Sequence, residues 1–333
     1  MSDAVSGLDI VAEVIRTYYD LGKVNRPVPL PYAHQRRHRK LVVETSAGKF
    51  LAKTYKRDPY VLDDLRFQHR LSAHLESSSI PVARIQPARS GKKIVEVDTW
   101  ALELQEYVDG EGMIVSASTL LTAGSTLGRF HTACSDFPRP PRDARMWRFS
   151  EVPRSIFATL YEKSLEEANR DRMTQCCNRL AAFLHEASDA LSYQARDRFE
   201  TGLIHGDWHA GNLIFKSEKL AAVVDLEFAG DGCYLEDLAY GLSNLCVRTT
   251  RREDRLEKRI EALMTAYQQY RELSWYEEAA LFYAVGIKHV TTVAYQIQQL
   301  GKVAGLGAAD WMERLDFQCA WLGRKAHKAR WGH

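Results

Sequence analysis

The sequence between residues 203 and 215 reads LIHGDWHAGNLIF, and residues 223–227 read VVDLE. Apolar residues flank both polar segments, which predicts short strands that hold the polar residues in place. Asp207 and Asn212 lie five residues apart on one loop, and Asp225 stands at the end of the next strand. Phosphoryl transfer needs a carboxylate that accepts the proton of an attacking hydroxyl, and further oxygen ligands that hold Mg²⁺ against a triphosphate. This stretch therefore predicts a phosphoryl-transfer site.

The same residues resemble a known family. The pattern H-G-D-x-x-x-x-N at 205–212, followed by D-x-E at 225–227, is similar to the catalytic segment of the aminoglycoside phosphotransferase and choline kinase family, which are relatives of protein kinases. The resemblance implies that Asp207 is the catalytic base and that Asn212 and Asp225 are the magnesium ligands. The alternative is two unrelated acidic loops, and four specified positions in one loop argue against it.

Two further residues are expected to be structural. The resemblance implies that His205 supports the catalytic loop and that Asp237, in the family's D-L-A segment at 237–239, braces it. The N-terminal helix, the step at 21–22 and the segment 270–274 are similar to bacterial branches that include type II homoserine kinases, stress-response kinases and spore-coat kinases.

Strand patterns dominate the first hundred residues, and helix patterns dominate the rest. Strands are predicted at 40–44, 49–55, 93–97 and 100–108, and helices at 59–77, 118–134, 154–191 and 255–300. Together with the family resemblance, this order predicts an α+β, protein-kinase-like two-lobed fold. We expect a small β-rich nucleotide-binding lobe over residues 1–108 and a large helical lobe for catalysis and acceptor binding over residues 109–333.

Kinases carry a lysine on the third strand of the small lobe that pairs with the nucleotide phosphates. Lys53 follows an apolar strand and fits this position, whereas a solvated strand lysine is the alternative. Residues 102–110 resemble the family's hinge, the segment whose backbone binds adenine. The resemblance implies that the carbonyl of Glu106 and the amide of Val108 make these contacts.

The segment that should cover the phosphates departs from the family pattern. Such loops use glycine because a backbone without Cβ can approach phosphates closely, but residues 31–40 contain no glycine. One interpretation is that Arg36, Arg37 or Arg39 contacts phosphate or an acidic substrate through its side chain. The other is a solvated basic strand edge.

The helix after Lys53 departs as well, because a kinase helix offers a glutamate to orient the lysine. Gln68 holds the position that we align, and Asp64 lies one turn earlier. Either Asp64 substitutes, or Gln68 gives a neutral hydrogen bond, or the ion pair is absent. This departure keeps open a pseudokinase, a nucleotide-binding scaffold without catalysis.

Three neighbours of the motif have several interpretations. Trp208 and His209 lie within the loop and are candidates for the wall of the acceptor pocket. Glu227 is a candidate for assisting the metal or for holding an acceptor group.

Composition excludes several classes of protein. The net charge of +2, from 45 Lys and Arg against 43 Asp and Glu, gives no bulk electrostatic reason to bind nucleic acid or a membrane surface. No apolar run approaches the roughly 20 residues of a membrane span, and no secretory signal pattern stands at the N-terminus. The six cysteines form no C-x-x-C pair. We therefore expect a cytoplasmic protein.

The leading hypothesis is an ATP- and Mg²⁺-dependent phosphotransferase that moves the γ-phosphate to a hydroxyl of a small molecule. Amino alcohols, amino acids such as homoserine, sugars and aminoglycosides all remain open as acceptors, as does the oligomeric state. The alternatives are the pseudokinase and a protein Ser/Thr kinase. The second is disfavoured because nothing like the protein-kinase A-P-E segment follows Asp225.

Overall fold

The computed structural model describes residues 2–30, 39–141, 149–192, 195 and 197–331. Backbone proximity divides the chain into two compact units. The first, here called the sheet unit, consists of Met1–Glu111, Ile214–Lys216 and Leu220–Glu227. The second, the helical unit, contains the other described residues. Among the described residues, no helix combines the length and the apolarity that crossing a membrane requires.

A five-stranded antiparallel sheet and two helices build most of the sheet unit. Its strands, in the spatial order β1-β2-β3-β5-β4, are β1 (Val28–Pro29), β2 (Arg39–Thr45), β3 (Gly48–Lys56), β4 (Ile94–Val97) and β5 (Trp100–Glu106). Its helices are α1 (Ser2–Tyr18) and α2 (Pro59–Ser77). The strands β2 and β3, close to the predicted ranges 40–44 and 49–55, form a hairpin with Thr45 paired to Gly48 across the turn.

The two faces of this sheet bury different side chains. One face packs on α1 in an apolar cluster that includes Ile15, Val43 and Ala52. Successive side chains of a strand point to opposite faces, so Lys53, next to Ala52, faces the other side. There α2 begins at Pro59, and its N-cap Asp58 accepts a hydrogen bond from a first-turn amide. Lys53, the lysine predicted to contact the nucleotide phosphates, therefore lies on the α2 side of the sheet.

A segment from the second half of the chain completes the sheet unit. Strands β8 (Leu213–Lys216) and β9 (Lys219–Val223) follow one another with a short turn between them. Val223 forms a parallel bridge with Val82, and its amide donates to the carbonyl of Pro81 at 2.8 Å. This contact fixes the residues that follow β9, including Asp225, against the N-terminal sheet.

Helices build most of the helical unit. They are α3 (Ala117–Ala133), α4 (Arg154–Glu167), α5 (Arg170–Ala190), α6 (Tyr234–Gly241), α7 (Glu253–Gln268), α8 (Trp275–Leu300) and α9 (Ala308–Trp331). A π-helical turn, Leu242–Val247, continues α6. The strands β7 (Thr201–Ile204) and β10 (Gly230–Cys233) pair antiparallel, and the short β6 (Glu111–Gly112) stands at the boundary between the units.

Two of the long helices predicted from the sequence are wrong as single elements. The stretch 154–191 is broken between α4 and α5, where the Asn169 side chain caps α5 by accepting the amide of Arg172. The stretch 255–300 is broken before α8, where Ser274 and Glu277 form a reciprocal capping box. In both cases a local side-chain cap starts a new helix inside a sequence of good helix formers.

Candidate active site

Lys53 lies buried in the sheet unit beside two carboxylates. Its side chain is 5% exposed, and its Nζ lies 3.1 Å from Oδ1 of Asp225, 172 residues away in the chain. Glu103 is its cross-strand partner on β5, and partners of this kind share a face of the sheet. Burial alone would lower the pKa of Lys53, but Asp225 and Glu103 raise it above its ordinary value. The ammonium is therefore charged at neutral pH.

Lys40 is a second ammonium on the same carboxylate, and sequence reasoning missed it. It pairs with Lys53 across β2 and β3, and its Nζ lies 2.5 Å from Oδ2 of Asp225. Burial alone would raise the pKa of Asp225, but the charges of Lys53 and Lys40 lower it far below the ordinary value. Asp225 also has a φ of 59°, which only a minority of non-glycine residues adopt. No local pattern distinguishes Lys40 from the other basic residues near it.

The acidic residue that supports Lys53 comes from β5 and not from α2. Glu103 is 1% exposed, makes a short contact with Nε2 of His69 and accepts from Nε2 of Gln105 at 2.5 Å. Burial alone would raise the pKa of Glu103, but the hydrogen bond from His69 and the charge of Lys53 lower it. His69 thus links α2 to this carboxylate.

The two α2 residues predicted to orient Lys53 lie farther out. Gln68 donates from Nε2 to Oδ2 of Asp64 at 3.1 Å, and the Asp64 side chain is exposed. Gln68, His69, Glu103 and Lys53 line one small pocket, together with residues 223–226. Its volume of about 30 Å³ is enough for a single water molecule and far too small for a nucleotide.

Other predicted residues of the sheet unit do not join Lys53. Arg36 and Arg37 lie outside the described residues. Arg39 is exposed and approaches Gly7 of α1, on the face of β2 opposite to that of Lys40. Glu106 ends β5 opposite Phe50.

Two more predicted site residues, Val108 and Glu227, follow β5 and β9 in the chain. Val108 is half-buried just beyond the end of β5. Glu227 is half-buried in the 3₁₀ turn Leu226–Phe228, and its charge contributes to the raised pKa of Lys53. The structure therefore places Glu227 in the electrostatic neighbourhood of Lys53.

Asp207 and Asn212 lie together in the helical unit, as their spacing predicts. Nδ2 of Asn212 donates to the backbone oxygen of Asp207 at 2.9 Å and to its Oδ2 at 3.0 Å. Nε2 of His209 lies 3.3 Å from the same Oδ2, and its Nδ1 accepts the amide of Gly211 at 3.0 Å. His209 therefore contacts the candidate base itself.

The charge state of Asp207 follows from these contacts. Burial alone would raise the pKa of its carboxyl, but the hydrogen bond and charge of His209 lower it, with a smaller contribution from the hydroxyl of Tyr240. Asp207 is thus a carboxylate at neutral pH. Burial, followed by the charge of Asp207 and a hydrogen bond to it, raises the pKa of Tyr240 well above its ordinary value, so Tyr240 keeps its proton.

A buried carboxylate holds the loop that carries Asp207. Asp237, fully buried, accepts the amides of His205 at 2.8 Å and Gly206 at 2.9 Å, and it contacts Nε2 of His131 at 3.1 Å. Gly206 has a φ of 78°, and a Cβ there would lie 2.5 Å from the carbonyl oxygen of Phe228. Only glycine fits this turn without strain. His205 is fully buried and accepts the amide of Asp207 through Nδ1 at 3.2 Å.

Trp208 has a different place from the one predicted. Its side chain is fully buried, stacks edge-on against His205 and lies against Gly241 of α6. The indole therefore packs beneath the loop and is not exposed at its surface.

A polar stripe on α6 and its π-helical continuation extends from Asp207, and sequence reasoning missed it. It consists of Glu236, Tyr240, Asn244 and Arg248, at intervals of four residues. Nζ of Lys288 on α8 lies 2.8 Å from Oε1 of Glu236 at one end. These residues lie 29 or more positions beyond Asp207, so spacing within the loop gives no signal for them.

The donor set fits a divalent cation such as Mg²⁺. Asp225, Asp207 and the side-chain oxygen of Asn212 are hard oxygen donors of the kind that Mg²⁺ prefers. Both hydrogen bonds of the Asn212 side chain are donated by Nδ2, which leaves its oxygen to face a cation. Asp225 already attracts two ammonium groups. Among the described residues, no three His, Cys, Asp or Glu side chains cluster as a metal site.

Comparisons with known proteins show which family the chain belongs to. The model of the phosphotransferase enzyme family described as APH matches residues 30–276. The homoserine kinase of Nitrobacter hamburgensis is 26% identical over 245 residues, covering 72% of this chain and 69% of that protein. An aminopropanol kinase associated with a microcompartment superimposes with a TM-score of 0.65 at 20% identity, covering 97% of this chain and 98% of that one.

The chain is also similar to a kinase that was solved with bound ligands. The amicoumacin kinase hAmiN, solved with AMP-PNP, Ca²⁺ and Ami, gives a TM-score of 0.63 at 16% identity, with 100% of this chain and 96% of that one covered. The predicted kinase-like α+β fold is thereby confirmed.

Proposed function

Because the chain belongs to the phosphotransferase enzyme family, we propose that it transfers the γ-phosphoryl group of ATP to a hydroxyl of a small molecule in a magnesium-dependent reaction. The predicted class of enzyme, a small-molecule phosphotransferase acting on an alcohol group, is confirmed by that membership. The donor, the metal and the acceptor belong to the proposal.

One observation carries the proposal: Lys53 and Asp225 lie 3.1 Å apart although 172 residues separate them in the chain. In kinases, the strand lysine contacts the nucleotide phosphates and the strand-end aspartate holds the metal that bridges those phosphates. A partly buried ion pair between these two types of residue, within the sheet unit, supports a nucleoside triphosphate as the ligand beside them. The complex of the amicoumacin kinase with AMP-PNP and Ca²⁺ supports the same kind of ligand.

Each of the motif residues has a role in the proposed reaction. Asp207 orients the acceptor hydroxyl and accepts its proton, because it is ionised and Asn212 fixes its carboxylate. Asn212 and Asp225 would hold magnesium, which when bound neutralises charge on the phosphate oxygens. Lys53 steadies the phosphates.

The hinge provides the remaining contacts to the nucleotide. The carbonyl of Glu106 and the amide of Val108 would bind adenine, since both lie where β5 ends and its ladder with β3 stops.

Lys40 takes over part of the task of a glycine-rich loop in this proposal. It stands on β2 as the last residue of the glycine-free segment 31–40, and its ammonium contacts the same carboxylate as that of Lys53. If Asp225 holds a metal ion, the Lys40 ammonium beside it would be available to contact the phosphates. A side-chain cation would then replace the backbone amides that glycine loops supply.

The acceptor that we propose is a hydroxy amino acid such as homoserine. The support is the homoserine kinase of Nitrobacter hamburgensis, which matches over 72% of this chain. An amino alcohol is the second candidate, because an aminopropanol kinase shares the fold across 97% of the chain.

Two measurements test the proposal. In an ADP-release assay with ATP and Mg²⁺, we expect turnover with L-homoserine or a related hydroxyl metabolite from a panel of amino acids, amino alcohols, sugars and aminoglycosides. In a thermal-shift assay, ATP should stabilise the protein more with Mg²⁺ than without it. Stabilisation independent of metal, with no ADP release for any acceptor, would instead indicate the nucleotide-binding scaffold.

A further inference from the structure

Arg248 ends the polar stripe, whose second member, Tyr240, makes a hydrogen bond with Asp207. Asn244 donates from Nδ2 to the backbone oxygen of Tyr240 at 3.1 Å, and Nη1 of Arg248 lies 3.5 Å from Oδ1 of Asn244. Side chains on a helix lean toward its N-terminus, so the guanidinium of Arg248 extends back along the stripe toward Tyr240. The stripe therefore connects the candidate base to a cation.

A π-helical turn gives Arg248 its position. The amide of Arg248 donates to the carbonyl of Ser243, five residues earlier, at 3.0 Å. Turns of this kind are rare and occur frequently at functional sites, because the extra residue re-aims the side chains that follow. Here the wide turn Leu242–Val247 lies between Tyr240, which contacts Asp207, and Arg248.

The partners of the Arg248 guanidinium are all uncharged. Its Nη2 makes a short contact with Oε1 of Gln296 on α8, and its Cζ lies 6.0 Å from the ring of Trp311 on α9. Within the part of the chain that the structure describes, no carboxylate pairs with it. Arg271, which is also half-buried, does have such a partner, since it contacts Glu277 at 2.6 Å.

An arginine in this setting is suited to bind an anion. Burial lowers the pKa of Arg248, yet a guanidinium remains protonated in proteins, so a partly desolvated charge faces neutral groups. Its planar donors match a carboxylate in a bidentate arrangement. A carboxylate arriving with a ligand would restore the charge balance that the protein itself leaves incomplete.

We propose that Arg248 binds the carboxylate of the acceptor whose hydroxyl lies at Asp207, and that this contact makes the enzyme select hydroxy acids over amino alcohols. The inference rests on the proposed function and adds to it a specificity-determining residue. Asn244 and Gln296, which contact the guanidinium, are positioning residues in this account.

The test uses two compounds that differ only in the carboxylate, L-homoserine and 3-aminopropan-1-ol. Arg248→Gln removes the charge and keeps an amide that can still contact Gln296. We expect kcat/KM for L-homoserine to fall about 100-fold, mainly through KM, because a charge-assisted bidentate contact is lost. The value for 3-aminopropan-1-ol should change less than about threefold, since it has no group for Arg248.

Binding without turnover gives a second readout. In a thermal-shift assay without nucleotide, L-homoserine should raise the melting temperature of the wild-type protein and not that of Arg248→Gln. Arg248→Lys should recover part of the effect, because it restores the charge without the planar fork. Arg255→Gln is the matched control, because Arg255 is exposed on α7 and makes no side-chain contact among the described residues.

The outcomes separate the inference from the proposed function. Equal losses for both compounds in Arg248→Gln, or an unchanged preference for L-homoserine, would overturn the role of Arg248. Absence of any wild-type response to L-homoserine and other hydroxy acids would overturn it too, even if amino alcohols are phosphorylated. A third outcome is that L-homoserine stabilises only the proteins that retain Arg248, while no acceptor leads to ADP release. The proposed function would then be wrong, and the binding of the carboxylate by Arg248 would still be supported.

Discussion

The two units present their key carboxylates in opposite ways. Asp207, in the helical unit, is fixed by neighbours in its own loop: Asn212 lies five residues away and His209 two. Asp225, in the sheet unit, is fixed by Lys53 and Lys40, at sequence separations of 172 and 185 residues. One environment is thus set by local sequence, and the other exists only after the chain has folded.

The charges around the two carboxylates differ as well. An amide, a tyrosine hydroxyl and an imidazole surround Asp207, so proton transfer there involves groups that can move or share protons. Two ammonium groups surround Asp225, which suits a carboxylate that exchanges cations. We therefore expect substitutions at Asp207 to affect chemistry and substitutions around Asp225 to affect stability and nucleotide binding.

The largest effect should follow from Asp207→Asn. We expect kcat to fall by about 10³-fold or more, because the variant cannot accept the hydroxyl proton and orients it poorly. The stabilisation by ATP and Mg²⁺ in a thermal-shift assay should persist. Steady-state kinetics with the acceptor found in the ADP-release panel measures the loss.

Asp189→Asn, at an exposed position of α5, is the matched control and should leave kcat unchanged. Turnover of Asp207→Asn at the wild-type rate would contradict the assignment of the base.

The next effect concerns stability in the sheet unit. With Lys40→Met or Lys53→Met alone, Asp225 keeps one ammonium, and we expect a loss of about 1 kcal/mol in the free energy of unfolding. With both replaced, the partly buried carboxylate has no cation, and the loss should reach about 3–5 kcal/mol. Denaturant unfolding of the four proteins in this double-mutant cycle measures the coupling.

Lys40→Met should also raise the KM for ATP about tenfold, because a phosphate contact is lost. Additive losses in the cycle would show that the two lysines act independently of each other. They would then not share Asp225 as a partner, contrary to the contacts described here.

Acid should weaken the helical unit before it affects Asp225. Burial lowers the pKa of His289 from 6.5 to about 4, with smaller contributions from the charges of Arg248 and Arg314. The hydrogen bond that Nε2 of His289 donates to Oε1 of Gln318 offsets part of this shift. The unfolded chain therefore binds a proton at this residue between pH 6.5 and 4, and the folded chain does not. The free energy of unfolding should fall by about 3 kcal/mol as the pH falls through this window.

Asp225 contributes its loss at lower pH, because the unfolded aspartate takes up a proton only near its ordinary pKa of 3.8 and the folded one well below that value. Denaturant unfolding between pH 7.5 and 4.5 checks the slope in the wild type and in His289→Gln. Identical slopes in the two proteins would contradict the role of His289.

Much of the fold could be predicted because its signals are local. The helix α2 begins where Pro59 and the cap Asp58 stand, and β2 and β3 lie within one residue of the predicted ranges 40–44 and 49–55 at each end. The breaks at Asn169 and Ser274 were missed because a single capping residue decides them, within sequences that favour helix on both sides.

The residues of the candidate site also differ in whether local sequence predicts them. The loop motif gives Asp207 and Asn212, whose mutual contacts span five residues. Lys40 and Glu103 carry no motif, because only strand pairing brings them beside Lys53. Arg248 has no signal in the sequence either, because a π-helical turn sets its direction.

The smallest expected effect concerns Gln68 on α2, which we compare with Glu103 on β5. Gln68 holds the position aligned with the lysine-orienting glutamate of kinases, but it contacts Asp64 near the surface, while Glu103 is buried with His69 and faces Lys53. Gln68→Ala should therefore change kcat/KM for ATP less than about threefold, whereas Glu103→Gln should lower it about tenfold or more, because the buried ammonium loses a carboxylate. Steady-state kinetics with ATP as the varied substrate compares the two variants. A larger loss in Gln68→Ala than in Glu103→Gln would mean that α2 itself orients the lysine when nucleotide is bound, and the assignment of that task to β5 would then be wrong.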